Sequence, residues 1–251
     1  MTRRSGLLGL AGALLFGVFT ALGVWQLQRL AWKNHLVARV EARVHAPPAP
    51  VPAVPEWPAV IADPAAHDYR SVRLDGEFLP ADEQLVQAVT ERGAGHWVMA
   101  PLRLADGSLV LVNRGFVPSA SQWQAMRASA RCKGPVTVAG LLRSSEPGGG
   151  FLRRNDPASG RWFSRDVPAL AAAAGLMQSR VAPYFVDAGA DMSCASPQGP
   201  VGGLTVLRFT NNHLVYALTW FALAAMTVAA VVFMRRDGAR QRLHGQSRRP
   251  T

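Results

Sequence analysis

The sequence predicts an α+β protein in which two transmembrane helices flank one mostly antiparallel, β-rich periplasmic domain with a few short helices. Three observations carry that expectation. Two runs of 22 residues, Gly6–Leu27 and His213–Met234, contain no Asp, Glu, Lys or Arg. Between them lie short segments in which apolar and polar residues alternate, the period of a half-buried strand. The basic residues crowd the two ends of the chain, as they do beside the cytoplasmic ends of membrane spans.

Residues 1–5, with Arg3 and Arg4, read as a cytoplasmic N-terminus, and residues 6–27 as the first transmembrane helix. As a helix, 22 residues rise about 33 Å, enough to cross a bilayer core. Ala21–Leu22–Gly23 resembles a small-residue cleavage site. The run exceeds a usual signal core, however, and Trp25, Leu27, Leu30 and Trp32 carry the helical pattern past the cut.

Residues 28–58 read as an amphipathic stem and a spacer. Leu27, Leu30, Val37, Val40 and Val44 recur at helical spacing, and six of the twelve residues from Pro47 to Pro58 are proline, which excludes a helix interior and suggests extended chain. Residues 59–210 form the α+β domain. Strands are expected at 69–79, 84–89, 96–104, 109–117, 136–142, 184–187 and 204–209, with Asp106–Gly107 as a hairpin turn. Helices are expected at 119 to about 130, capped by Ser119, and at 167–174, stopped by Gly175. Residues 211–234 give the second span and 235–251 a basic cytoplasmic tail.

The net charge of +11 would ordinarily suggest nucleic acid. Eight arginines and one acid lie in residues 1–5 and 235–251, so +7 of that charge belongs to the two tails and reads as topology. Both termini are then cytoplasmic, the central domain is periplasmic in a bacterium, and the partners include the lipid bilayer and no nucleic acid. Arg29, Lys33, Arg39 and Arg43 pull the other way, but a long loop translocates with little regard to charge.

Familiar catalytic patterns are missing. Gly148–Gly149–Gly150 has no following Lys-Ser or Lys-Thr, no G-x-S-x-G elbow occurs, and no two histidines sit three or four apart. Asp75 and Glu77 share a strand face that reads as a solvated outer surface. An enzyme is not expected. Cys132 and Cys194 are the only cysteines, and a periplasmic setting permits one disulfide between them.

The second run starts at Asn211–Asn212–His213, and His213, Tyr216, Ala217, Trp220, Ala224 and Thr227 share one helix face. An imidazole at the membrane edge suits a haem iron, and aromatic rings can stack on a macrocycle. The same residues suit an interfacial polar group and an aromatic belt, and composition alone favours this second reading. In the first run Gly9, Ala13, Gly17 and Ala21 recur every four residues, a stripe for helix packing or for a cofactor groove.

The chain resembles the Surfeit locus 1 family of cytochrome c oxidase assembly factors. The motifs run in order from Gly23–Val24–Trp25–Gln26–Leu27 through Tyr69–Arg70, Val112–Asn113–Arg114–Gly115–Phe116–Val117–Pro118 and Gly140–Leu141–Leu142–Arg143. Asn155–Asp156–Pro157, Trp162–Phe163–Ser164–Arg165–Asp166, Pro183–Tyr184–Phe185–Val186–Asp187 and Asn211–Asn212–His213–Leu214 complete the series. Phe116 stands where many members carry Trp. The resemblance implies an inner-membrane factor that binds haem a transiently and assists its insertion into the core haem-copper subunit of the oxidase, with the haem a synthesis enzyme as a further partner. It ties His213 to the haem iron as axial ligand, while Tyr216 and Trp220 join the cofactor site by position in the same motif. Arg208 can pair a propionate or mark the membrane edge. The alternative is a haem-free scaffold that docks oxidase subunits, with Asn113–Arg114–Gly115 as partner surface or as a strand-end turn. Arg165–Asp166 reads as a buried ion pair or as a helix start.

Overall fold

The computed structural model describes residues 3–79, 83–130, 132–150, 152–192, 199–205 and 211–246. They form two compact units, one of residues 1–38 with 208–251 and one of residues 39–207.

The first unit is a helix pair. Helix α1 runs Arg3–Val44 and helix α6 runs His213–Gln246, each without a break. Both are long and apolar enough to cross a membrane. Only 11% of the most apolar window of each is buried, and Leu10, Leu14, Leu218 and Phe233 are more than 60% exposed. A core helix of a soluble domain would bury such residues.

The pair is antiparallel. Gly23 lies against the Phe221 ring, Gly12 against Val231 and Gly9 against the Arg235 guanidinium, while Phe19 stacks on Trp220 at 5.8 Å. The seam therefore follows Gly9, Gly12, Phe19, Gly23 and Gln26, the alternating three-and-four spacing of a heptad. The four-residue stripe expected from Gly9, Ala13, Gly17 and Ala21 is corrected here: Ala13, Gly17 and Ala21 are exposed, and no atom lies within 4 Å of a Cβ built on Gly17. A four-residue step rotates about 40° around the helix each time, so such a stripe leaves the contact line within two steps.

The second unit is built on a mixed sheet. Its strands are β1 (Ala49–Pro50), β2 (Ser71–Phe78), β3 (Gln84–Thr90), β4 (Gly93–Leu104), β5 (Leu109–Val117), β6 (Val136–Ser144) and β9 (Val181–Ala188). They lie in the order β1-β2-β6-β9-β5-β4-β3. The pairs β2–β6, β6–β9, β5–β4 and β4–β3 are antiparallel, while β5–β9 and β1–β2 are parallel. Strand β2 also pairs with β4 through Gly76–Phe78, so the sheet closes on itself. Gly76 is the pivot of that closure, pairing with Val136 on one side and Leu104 on the other. A Cβ there would stand 2.4 Å from the Arg103 carbonyl oxygen, so only glycine lets the strands approach.

Alternation sorts the side chains. Val72, Leu74, Leu102, Val110, Val112, Val138, Tyr184 and Val186 fill the inside of the closed sheet. Leu109, Leu111, Val181 and Phe185 point outward and are covered by Trp162 and by helix α5 (Val167–Ala173). Strand β5 is consequently buried at every position, as its unbroken Leu-Val-Leu-Val start suits. A two-stranded ribbon of β7 (Gly149–Gly150) and β8 (Arg153–Arg154) precedes α5. Helix α4 (Ala120–Met126) follows β5 and seats the buried Trp123, whereas residues 127–130 leave the helix earlier than expected.

Several local expectations meet the structure directly. Gly107 takes φ +80° in the β4–β5 hairpin, and Gly175 takes φ +69° after α5. Asp166 caps α5 by accepting from the Ala169 amide. The proline-rich segment departs from the expected spacer. Ala49–Pro50 adds a strand to the sheet, and Trp57–Ala62 forms α2 with Pro58 near its start, followed by α3 (Pro64–His67). Trp57 Nε1 and the Tyr184 hydroxyl both donate to the Pro52 carbonyl, and Trp57 joins the core. Prolines break helix interiors but suit a first turn and an edge strand. The last turn of α1, residues 39–44, belongs to this unit, with Arg43 donating to the carbonyls of Ala65 and Asp68. The strand expected at 204–209 falls mostly outside the described residues. Its described part, Leu204 and Thr205, is irregular, and Val201 instead bridges Phe116.

Candidate functional site

A group of uncharged polar residues and His213 gathers at one end of the helix pair. His213 opens α6, and its Nδ1 lies 2.8 Å from Gln26 Oε1 of α1. With the Gln26 amide oxygen as acceptor, Nδ1 is the protonated nitrogen, and in the neutral imidazole Nε2 then keeps a lone pair. Nε2 has no protein partner among the described residues. Asn211 Nδ2 donates to Asn34 Oδ1 at 2.9 Å, and Asn211 Oδ1 accepts from the His213 amide at 3.4 Å. A half-buried imidazole with one nitrogen fixed and the other free is the donor that an axial haem site requires. The residues present therefore fit that group.

Of the residues expected beside His213, Trp220 is half-buried and its ring is fixed against Phe19. Ala217 and Ala224 are buried in the seam. Tyr216 is 55% exposed. Arg208 lies outside the described residues.

A second polar cluster lies on the outer wall of the β domain, where β6, β9 and β5 run side by side. Asp187 is its centre and is only 4% exposed. It accepts from Asn113 Nδ2 at 2.8 Å, Arg165 Nη1 at 3.0 Å, Thr205 Oγ1 at 3.0 Å and Arg143 Nη1 at 3.1 Å. The register explains the meeting, since Asn113 pairs directly with Asp187 and Arg143 with Phe185. The Phe185 ring lies against both guanidinium groups, and the Tyr69 ring lies 4.6 Å from that of Arg143. Tyr69 holds φ +62°, a conformation costly for a bulky residue.

Arg165 also donates to Glu146 from Nε at 3.0 Å. Burial disfavours its charge, but Asp187 and Glu146 outweigh that and hold the guanidinium above its ordinary value. Burial likewise raises the Glu146 carboxyl, and the Arg165 hydrogen bond and charge more than offset it, leaving Glu146 below its ordinary value. The stability contributed by such a depressed carboxylate is complete above its unfolded value near 4.5 and is lost as pH falls through the lower folded value. Between about pH 6 and pH 3 the thermal midpoint of Glu146→Gln is therefore expected to fall less steeply than that of the parent chain. Parallel curves would show that Glu146 does not contribute.

Arg114 forms a separate buried site. It is 2% exposed, pairs with Glu83 at 2.7 Å, donates to the Ala130 carbonyl and lies 3.6 Å from Cys132 Sγ. The partner surface considered for Asn113–Arg114–Gly115 is thus corrected, because strand β5 is covered on both faces there. Cys132 is disulfide-bonded, and Cys194 lies outside the described residues. Arg165–Asp166 serves both of its readings, as Arg165 is a buried ion-pair partner and Asp166 caps α5. Asp75 and Glu77 lie on an exposed face, where Arg73 and Arg103 pair with them.

Gln26 and Asp187 were not singled out as site residues. Gln26 could have been found as a lone amide in an apolar run, since such residues are costly in a bilayer unless they have a partner. Asp187 closes an otherwise apolar strand in the same way.

Motif residues thus gather at the start of α6, on the wall around Asp187 and in the separate site of Arg114. The model of the SURF1 family matches residues 13–225. The chain belongs to the SURF1 family. A SURF1-like protein of Monosiga brevicollis is 36% identical over 230 residues, covering 86% of this chain and 83% of that protein. Surfeit locus protein 1 of Rattus norvegicus is 35% identical over 232 residues, covering 85% and 72%. Its counterpart in Homo sapiens is 33% identical over 225 residues, covering 82% and 70%. The SURF1-family match includes both the Gln26 end of α1 and the His213 end of α6.

Proposed function

We propose that this SURF1-family chain is a non-enzymatic, membrane-held chaperone for cytochrome c oxidase assembly that binds haem a at His213 and helps insert it into the core haem-copper subunit. The observation that carries the reading is the His213 imidazole, fixed at Nδ1 by Gln26 and open at Nε2. Family membership supports the oxidase as client, with the haem a synthesis enzyme as the donor of the cofactor.

The free ring nitrogen of His213 would be the group that holds the haem, which when bound would supply a ligation that can be exchanged. His213 supplies the donor atom and Gln26 orients it. The Trp220 ring, braced by Phe19, and Tyr216, exposed on the adjoining turn, give flat apolar surface beside the donor. The two helices hold the site at the membrane boundary. The basic tails support cytoplasmic ends and a periplasmic β domain in a bacterial inner membrane.

The test is an optical spectrum of the full chain purified from hosts with and without the enzymes of haem a synthesis. A haem a band is expected only from the first host and is expected to vanish in His213→Ala. Equal occupancy in that variant would refute the ligand role and favour a haem-free scaffold. Consumption of haem by the purified protein would refute the non-enzymatic reading.

A further inference from the structure

We propose that Gln26 is the positioning residue for the His213 site: its side-chain oxygen selects the Nδ1–H tautomer and thereby sets the donor strength of Nε2 toward iron. The proposal rests on the haem-binding reading above and adds to it a residue of the other helix. Three observations carry it.

The first is the contact itself, 2.8 Å between Gln26 Oε1 and His213 Nδ1, across 187 positions of sequence. The second is its setting. Gly6–Leu27 holds only Thr20 and Gln26 as hydrogen-bonding side chains outside its tryptophan, and Gln26 lies on the heptad seam after Gly23. An amide at that position loses water and needs a specific partner. The third is the Asn34–Asn211 bond at 2.9 Å, which ties the same two segments together beyond the histidine. The imidazole is thus held by its own helix start and by α1 at once.

A nitrogen that donates to an acceptor passes electron density to its ring, and a stronger acceptor passes more. Gln26→Glu, with a charged acceptor, and Gln26→Leu, with none, should move the site in opposite directions. A mere packing contact would not give that order, because glutamate and leucine would both disturb it.

The experiment uses the full chain in detergent. In the haem-free protein, ¹⁵N NMR of labelled histidine, with the His213 signal assigned by its loss in His213→Ala, is expected to show a protonated Nδ1. Gln26→Leu is expected to shift that balance toward the Nε2–H form, and Gln26→Glu to restore it. In protein loaded with haem, the iron–histidine stretching frequency is expected to fall in the order Glu, Gln, Leu at position 26. The midpoint potential is expected to rise in the same order, and Gln26→Leu is expected to bind haem at least tenfold more weakly. If His213→Ala keeps its haem, the ligand reading itself fails. If His213→Ala loses haem while the tautomer and the stretching frequency ignore residue 26, His213 remains the ligand and the role of Gln26 is overturned.

Discussion

Asp187→Ala is expected to cost the β domain about 3–5 kcal/mol, the range for removing one partner of a buried ion pair. Two guanidinium groups, on Arg143 and Arg165, reach the Asp187 carboxylate, and their side chains are only 14% and 13% exposed. Glu146 remains to answer one positive charge, so the variant buries the other uncompensated. The loss also orphans the Asn113 amide and the Thr205 hydroxyl. Against a typical domain stability of about 5–15 kcal/mol, that leaves a small margin. Chemical unfolding of the full chain in detergent, followed by tryptophan emission, measures it. Asp187→Asn keeps the shape and should lose less. Replacing Asp187 and Arg165 together with leucine should also cost less than Asp187→Ala, since Glu146 then answers the one remaining guanidinium, that of Arg143. A loss of about 0.5 kcal/mol or less for Asp187→Ala, the size of an ordinary surface substitution, would mean that the cluster does not hold the wall of the sheet.

Much of this architecture is legible from the chain because its local signals agree with the tertiary outcome. The Leu-Val-Leu-Val start of β5 announces a strand buried on both faces, and Asp106–Gly107 announces the turn before it. Asp166, Pro168 and Gly175 together mark both ends of α5. What stays hidden is whatever depends on which strands become neighbours. The parallel pairing of β5 with β9 brings Asn113 beside Asp187 across 74 positions. No spacing within either strand announces it. The closure of β2 onto β4 at Gly76 is hidden for the same reason, since a glycine in a strand can mark a bulge, a turn or a close approach. The proline-rich segment misleads differently. Its prolines exclude helix interiors, and Trp57 and Val60 bury all the same.

At the His213 site the ligand itself stands out, being a histidine that opens an apolar run, whereas its partner Gln26 needs the pairing of two helices. A face drawn by periodicity groups Tyr216 with Ala217 and Trp220, but Ala217 is buried while Tyr216 is exposed. Exposure does not remove Tyr216 from a cofactor site at the membrane edge. It removes it from the packing between the helices.

That packing supports the remaining large effect. Gly23→Leu is expected to disable the His213 end of the helix pair, and Gly17→Leu to leave it intact, although both add the same side chain to the same helix. A Cβ on Gly23 would stand 2.6–2.9 Å from three atoms of the Phe221 ring, and a leucine would add three more carbons in that gap. Overpacking of this kind costs about 1–3 kcal/mol, and here its relief is to push α1 from α6. Gln26 lies three residues on, about 4.5 Å along the helix axis. A separation of about 1 Å there lengthens the contact to His213 beyond hydrogen-bonding distance, because the bond weakens steeply past about 3.2 Å. Gly17 meets no atom within 4 Å, and its leucine would join exposed neighbours such as Leu14 and Val18. The thermal midpoint in detergent and the His213 Nδ1–H signal should thus both drop for Gly23→Leu and stay at parental values for Gly17→Leu. Equal effects at the two positions would return the seam to a four-residue stripe through Gly17, on which Gln26 would no longer face His213.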